Sequence, residues 1–220
     1  MNPACHIDHT LLKPDATHDQ IRTLCEQAAE YQFAAVCIPP VYVALAAELL
    51  YGSGVEVATV VGFPLGYCDP RTKVFETRVA LERGATEIDM VIPLGAAREN
   101  DFSRVGDEVA AVVEAAPNVP VKVILETALF APQIVKCLAE TVLEAGAAML
   151  KTSTGFGPGG ATLEMVRLLA QVADGHAGVK AAGGIRDWPS CCQYLRAGAT
   201  RIGTSNAVQI MAQWQSGTDR

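Results

Sequence analysis

The chain has 220 residues, half of them hydrophobic, with 17 Lys and Arg against 24 Asp and Glu, a formal net charge of −7. That length is enough to bury a continuous core, and the apolar content excludes a disordered chain. An acidic chain with no Lys/Arg run lacks the electrostatic footprint of a nucleic-acid binder. No apolar run approaches the ~18 residues of a membrane span, and MNPACHIDHT at the start does not read as a signal peptide. The seven cysteines are odd in number and contain no CxxC pair. They read as reduced thiols, so the expected setting is cytoplasmic, with no membrane partner.

In chain order, short runs rich in Val, Ile, Ala and Met alternate with helical segments. CHID (5–8) comes first, and Thr17 with Gln20 then forms a capping box that opens a helix at Ile21. AAVCI (34–38) and VEVATVVG (55–62) follow. Asp69 and Pro70 open a helix that Gly84 closes. Next come TEIDMVI (86–92), VKVILET (121–127), AAMLKTS (147–153) and GVKAAGG (178–184). Asp187 opens a helix that Gly198 closes, and TRIGTS (200–205) is the eighth run. Near-continuous apolarity, rather than alternation, is what a parallel sheet covered on both faces requires. The joint between helix and strand recurs as GATEIDM, GAAMLKT and GATRIGT. Eight such units of roughly 28 residues consume residues 1–220 as one (β/α)8 TIM barrel of the α/β class, with no linker or second domain.

Chemistry in such a barrel sits at the C-terminal ends of the strands. Six of the basic residues are lysines, and three of these, Lys122, Lys151 and Lys180, fall inside apolar strands beside Asp89 and Glu126. Unpaired charge in a barrel interior costs several kcal/mol, so these groups are paired or functional. Lys122 comes early in its strand and reads as a structural group near the barrel floor, paired with Asp89 or Glu126. Lys151 and Lys180 lie at strand exits, where a substrate can reach them.

Two neighbouring lysines have a definite use. A lysine ordinarily holds its proton up to about pH 10.4. A like charge about 4 Å away, at an effective dielectric near 20, disfavours the second ammonium by about 4 kcal/mol. One ammonium can therefore make the other a free amine, which attacks a carbonyl to form an imine that serves as electron sink for breaking an adjacent C–C bond. Asp89 and the second lysine would then move protons. Which lysine is the nucleophile stays open on this reasoning, because the coupling is mutual.

IDHTLLKPDAT near the start, VVGFPLG (60–66), GATEIDMVI (84–92), VKVILET (121–127), KTSTGF (151–156), VKAAGG (179–184) and RIGTS (201–205) resemble, in order, the deoxyribose-phosphate aldolase family of class I (Schiff-base) aldolases. The resemblance implies that Lys151 forms the imine, with Asp89 and Lys180 as the proton-handling pair. It also implies cleavage of 2-deoxy-D-ribose 5-phosphate, a small phosphosugar, into D-glyceraldehyde 3-phosphate and acetaldehyde, with no cofactor and no metal. It departs from many members at Pro93, where they carry Asn, and QSGTDR (215–220) lacks the terminal Tyr of some.

A phosphate needs backbone N–H donors and a helix N-terminus. Gly183 and Gly184 after the seventh run, and Gly203, Thr204 and Ser205 after the eighth, are the expected cradle, with Thr152, Thr154 and Gly155 completing the substrate-binding set. Asp8 and Cys37 are expected to border the pocket.

Two other signals are weaker. Gly155, Gly157 and Gly160 satisfy G-x-G-x-x-G, but Pro158 interrupts it and KTST separates it from its strand, so a substrate-covering loop is favoured over a dinucleotide site. His6, Asp8 and His9 do not share one strand face, which argues against a metal centre. A homo-oligomer, by default a dimer, is the expected assembly.

Overall fold

The computed structural model describes residues 2–217. The ends of the expected 1–220 domain, Met1 and residues 218–220 of the tail, lie outside that range. Among the described residues, eight parallel strands close in sequence order into a barrel. They are β1 (Ile7–Thr10), β2 (Ala35–Ile38), β3 (Glu56–Val61), β4 (Glu87–Val91), β5 (Val121–Ile124), β6 (Met149–Lys151), β7 (Gly178–Ala182) and β8 (Arg201–Thr204). The helices between them are α1 (His18–Tyr31), α2 (Val43–Leu49), α3 (Pro70–Glu82), α4 (Leu94–Arg98), α5 (Phe102–Ala115), α6 (Pro132–Glu144), α7 (Leu163–Ala173), α8 (Trp188–Arg196) and α9 (Ala207–Ser216). The (β/α)8 expectation is therefore met.

The helix starts follow the capping chemistry of the sequence. Thr17 and Gln20 exchange bonds across the first turn of α1. Asp69 accepts from the Arg71 N–H ahead of α3, and Asp187 from the Ser190 N–H ahead of α8. Each satisfies an N–H that the helix leaves unpaired. The first strand begins two residues later than expected. Asn2 accepts from the Ala4 N–H and Ala4–His6 forms a 3-10 turn, so His6 leaves the strand and hydrogen-bonds the Thr200 carbonyl. Pro93 closes the exit of β4 by standing at the N-cap of α4, where its carbonyl accepts from Ala97.

Most of the hydrophobic core lies between barrel and helices. The barrel interior divides into two parts. One wall, from β2 and β3, is a small apolar cluster of Ala35, Cys37, Ala58 and Val60. The opposite wall carries charge, and the strand register sets it: Asp89 pairs with Lys122 between β4 and β5, and Lys151 with Lys180 between β6 and β7. No helix among the described residues is long and apolar enough to cross a membrane.

Candidate active site

Asp89 is the hub of the charged wall. One carboxylate oxygen, Oδ1, accepts from Lys122 at 2.6 Å; the other, Oδ2, accepts from both Lys151 at 2.8 Å and Lys180 at 2.6 Å. Lys122 also meets Glu87 at 2.7 Å, and Lys180 meets Asp8. Arg201 closes the set on Asp8 at 2.6 Å and Glu87 at 2.9 Å. Lys122 thus pairs with Asp89 as one of the two expected carboxylates, whereas Glu126 turns away towards Thr154.

Burial works against ionising Asp89, but Lys122, Lys151 and Lys180 outweigh it and hold the carboxyl well below the usual carboxylate range. Burial likewise opposes the charge on Asp8, and Lys180, Lys122 and Arg201 nevertheless bring it down to about 2. Burial disfavours the Lys180 ammonium, yet Asp8 and Asp89 hold it well above the ordinary lysine range. These carboxylates are therefore anions and Lys180 is a cation at neutral pH.

A cavity of about 260 Å³ opens at the strand exits above this cluster. Lys151 lines it, together with Thr154, Gly155, Gly183, Gly184, Gly203, Thr204 and Ser205. Gly183 and Gly184 sit at φ +92 and +84, the left-handed region that an L side chain resists. A Cβ on Gly183 would also come within 2.9 Å of Gly160. The cradle is consequently bare backbone at that point, as an anion-binding turn requires.

Five expected positions do not line this cavity. Thr152 is fully buried, and its hydroxyl donates to the Ala182 carbonyl while accepting the Ala182 N–H, so it stitches β6 to β7. Asp8 points into the barrel, where Lys180 and Arg201 engage it below the cavity. Cys37 is fully buried on the apolar wall, its Sγ 3.9 Å from Asp89, and burial pushes its thiol up. Asp89 and Lys180 are themselves sealed beneath Lys151 rather than open to the cavity.

The cavity also includes residues that strand patterns do not signal. Arg186 and Lys13 line it, as do Leu11, Leu12, Phe156 and Asn206. Phe156 packs edge-on against Phe63 at the rim, with ring centres 5.4 Å apart. The cradle is thus less neutral than its glycines suggest. Arg186 was readable in GGIRD (183–187), because a base two residues after a strand-exit glycine pair lies on the loop that forms the binding face of a barrel.

The histidines stand apart from this site. His9 turns outward to Gln27 at 2.8 Å, and burial lowers its proton affinity. Among the described residues no group of three His, Cys, Asp or Glu side chains is arranged to hold a metal ion.

A closed eight-stranded barrel with a lysine amine at its mouth, backed by a carboxylate and a second lysine, defines a (β/α)8 lyase. The model of the DeoC/LacD family of aldolases matches residues 4–204, and the chain belongs to that family. It is 53% identical to a deoxyribose-phosphate aldolase from Syntrophotalea carbinolica over 97% of both chains. It is 51% identical to one from Thermus thermophilus over 96% of both. Among solved structures, a deoxyribose-phosphate aldolase from Aeropyrum pernix, described as tetrameric, superposes with a TM-score of 0.91 at 38% identity, covering 97% of this chain and 91% of that one.

Proposed function

We propose that this chain reversibly cleaves 2-deoxy-D-ribose 5-phosphate into D-glyceraldehyde 3-phosphate and acetaldehyde through an imine on Lys151. The observation that carries the assignment of the nucleophile is the partner count inside the barrel. Three carboxylates, Asp8, Glu87 and Asp89, face four basic groups, Lys122, Lys151, Lys180 and Arg201. The bases outnumber the acids by one. Lys151 meets a single carboxylate and faces the cavity, so it is the base least held by acids and the one a substrate can reach.

Its Nζ adds to the C1 aldehyde of the open-chain sugar, and loss of water gives the iminium. Removal of the C3 hydroxyl proton lets the C2–C3 pair flow into the iminium. The C3 carbon leaves as the aldehyde of glyceraldehyde 3-phosphate, and an enamine remains on Lys151. Protonation at C2 and hydrolysis then release acetaldehyde and restore the amine. Lys180, on the same Asp89 oxygen as Lys151, is the proton reservoir, while Asp89 orients both amines. The phosphate sits on Gly155, Gly183, Gly184, Gly203, Thr204 and Ser205 at the start of α9, with Arg186 and Lys13 supplying positive charge. None of these steps calls for a metal or cofactor. The setting is the cytoplasm and the assembly a homo-oligomer, with a dimer as its simplest form.

Borohydride reduction in the presence of the sugar phosphate tests the assignment. Irreversible inactivation with a mass increase on Lys151 is expected, and an adduct on Lys180 instead would reverse the roles. Loss of activity on chelation, without any trapping, would sink the imine route.

A further inference from the structure

Glu126 is a buried carboxylate that the imine chemistry does not use. It is 2% exposed, and among the described residues no cation pairs with it. Its partners are the Thr154 N–H, at 3.2 Å from Oε2, and the Thr154 hydroxyl, which donates to the same oxygen. A carboxylate taken out of water without a counter-charge is retained only where those bonds do something.

The backbone explains how Glu126 reaches that far. Leu125 donates to the Lys151 carbonyl and Thr127 to the Thr152 carbonyl, so the residues on either side of Glu126 are tied to the segment carrying Lys151. Glu126 itself lies between them at φ +50, ψ +57, a left-handed conformation unusual for a residue with a side chain. The kink swings its carboxylate across to the loop after β6. There Gly157 packs against it: a Cβ on Gly157 would stand 2.8 Å from the Glu126 carboxyl carbon. Thr154 in turn accepts from the Phe156 N–H, and Thr154, Gly155 and Phe156 are wall and rim of the cavity.

We propose that Glu126 is a positioning residue for the aldol reaction: its carboxylate latches the 154–157 loop to the exit of β5, holding the cavity wall beside Lys151 in its substrate-binding shape. The proposal rests on the reading of Lys151 as nucleophile only for where the substrate lies.

The test is steady-state cleavage of 2-deoxyribose 5-phosphate by Glu126→Gln, Thr154→Val and their double variant, with thermal unfolding of each. Each single change is expected to raise KM about tenfold, with kcat lowered less than about threefold. The double variant should be no worse than about twice the poorer single, because both changes act on the same contact. Gly157→Ala, which drives a methyl into the carboxylate from the far side, should raise KM in the same direction. Thr154→Ser, which keeps the hydroxyl, should recover most of the loss seen in Thr154→Val. A contribution to folding alone would lower the unfolding midpoint and leave KM where it was.

KM values within twofold of the parent for Glu126→Gln and Thr154→Val would overturn the latch, as would effects that multiply in the double variant. If Glu126→Gln does not fold, the Thr154 and Gly157 variants read the same contact from its other sides. Borohydride trapping of the parent enzyme is scored separately: its absence would count against Lys151 as nucleophile, while the KM comparison would still decide the latch.

Discussion

Of the four lysines buried beside carboxylates, Lys73 and Lys151 serve different ends. Lys73, on α3, is fully buried between barrel and helix layer, bound to Glu108 and, at 2.7 Å, to the Val91 carbonyl. Its charges match one to one, it is out of contact with solvent, and its stem fills the space beside Gly62. Lys151 lies in a cluster with one more base than acids and opens onto a cavity. Burial of a lysine is therefore not what marks the chemistry. A surplus of basic groups together with access to a small molecule does.

The largest effect that would break this contrast is on turnover. Lys151→Ala should lower kcat by on the order of 10⁴-fold or more and abolish borohydride trapping. Residual activity near the parent level would make Lys151 another Lys73. Asp89→Asn should still permit imine formation but slow turnover by about 10²-fold, read as trapping without comparable product release.

Lys73→Met acts on the other side of the comparison. It strands the Glu108 carboxylate and should cost about 3–5 kcal/mol in urea unfolding, with kcat per folded molecule unchanged. The double change Lys73→Met with Glu108→Leu should return to within about 1–2 kcal/mol of the parent, since a closed pair can be exchanged for apolar packing. A large fall in kcat in that double variant would mean that Lys73 is more than a strut.

The smallest effect is on acid stability. Asp8 is brought to about 2 in the folded chain, below its ordinary value of 3.8. Its stabilisation is thus fully present above about pH 4 and disappears as pH falls through about 2, a loss of about 2 kcal/mol. Urea midpoints across that window should fall less steeply in Asp8→Asn than in the parent. Equal slopes would show that Asp8 does not set the acid limit.

The barrel was legible because eight near-continuous apolar runs recur with capped helices between them, and Lys151, Lys180 and Asp89 stood out as charge inside such runs. Lys73 did not, because α3 reads PRTKVFETRVALE and one more charge on a helix rich in charges carries no sign of facing inward. Arg201 opens β8 at the barrel floor and was not singled out, because a base at the first position of a strand carries no sign of facing inward, yet it engages Asp8 and Glu87. Thr152 lies off the cavity for a related reason: strand parity orders side chains along a run but does not say which hydroxyls the neighbouring strand consumes. The first strand slipped by two residues because a side-chain cap from Asn2, rather than any apolar pattern, decides where it begins.

The sealed ion cluster beneath Lys151 closes the floor of the cavity. Nothing drains past Lys122, Lys180, Asp8 and Asp89, all of which are wholly out of contact with solvent. Both carbon fragments must depart through the mouth by which the sugar came in. On the reading of Lys151 as nucleophile and of the glycine turns as the phosphate cradle, the phosphorylated fragment lies outermost and unattached after C–C cleavage, while the two-carbon fragment is still bonded at the bottom. Departure is accordingly a queue, with glyceraldehyde 3-phosphate ahead of acetaldehyde. In the synthetic direction the same queue runs backwards, and the small aldehyde has to be loaded first.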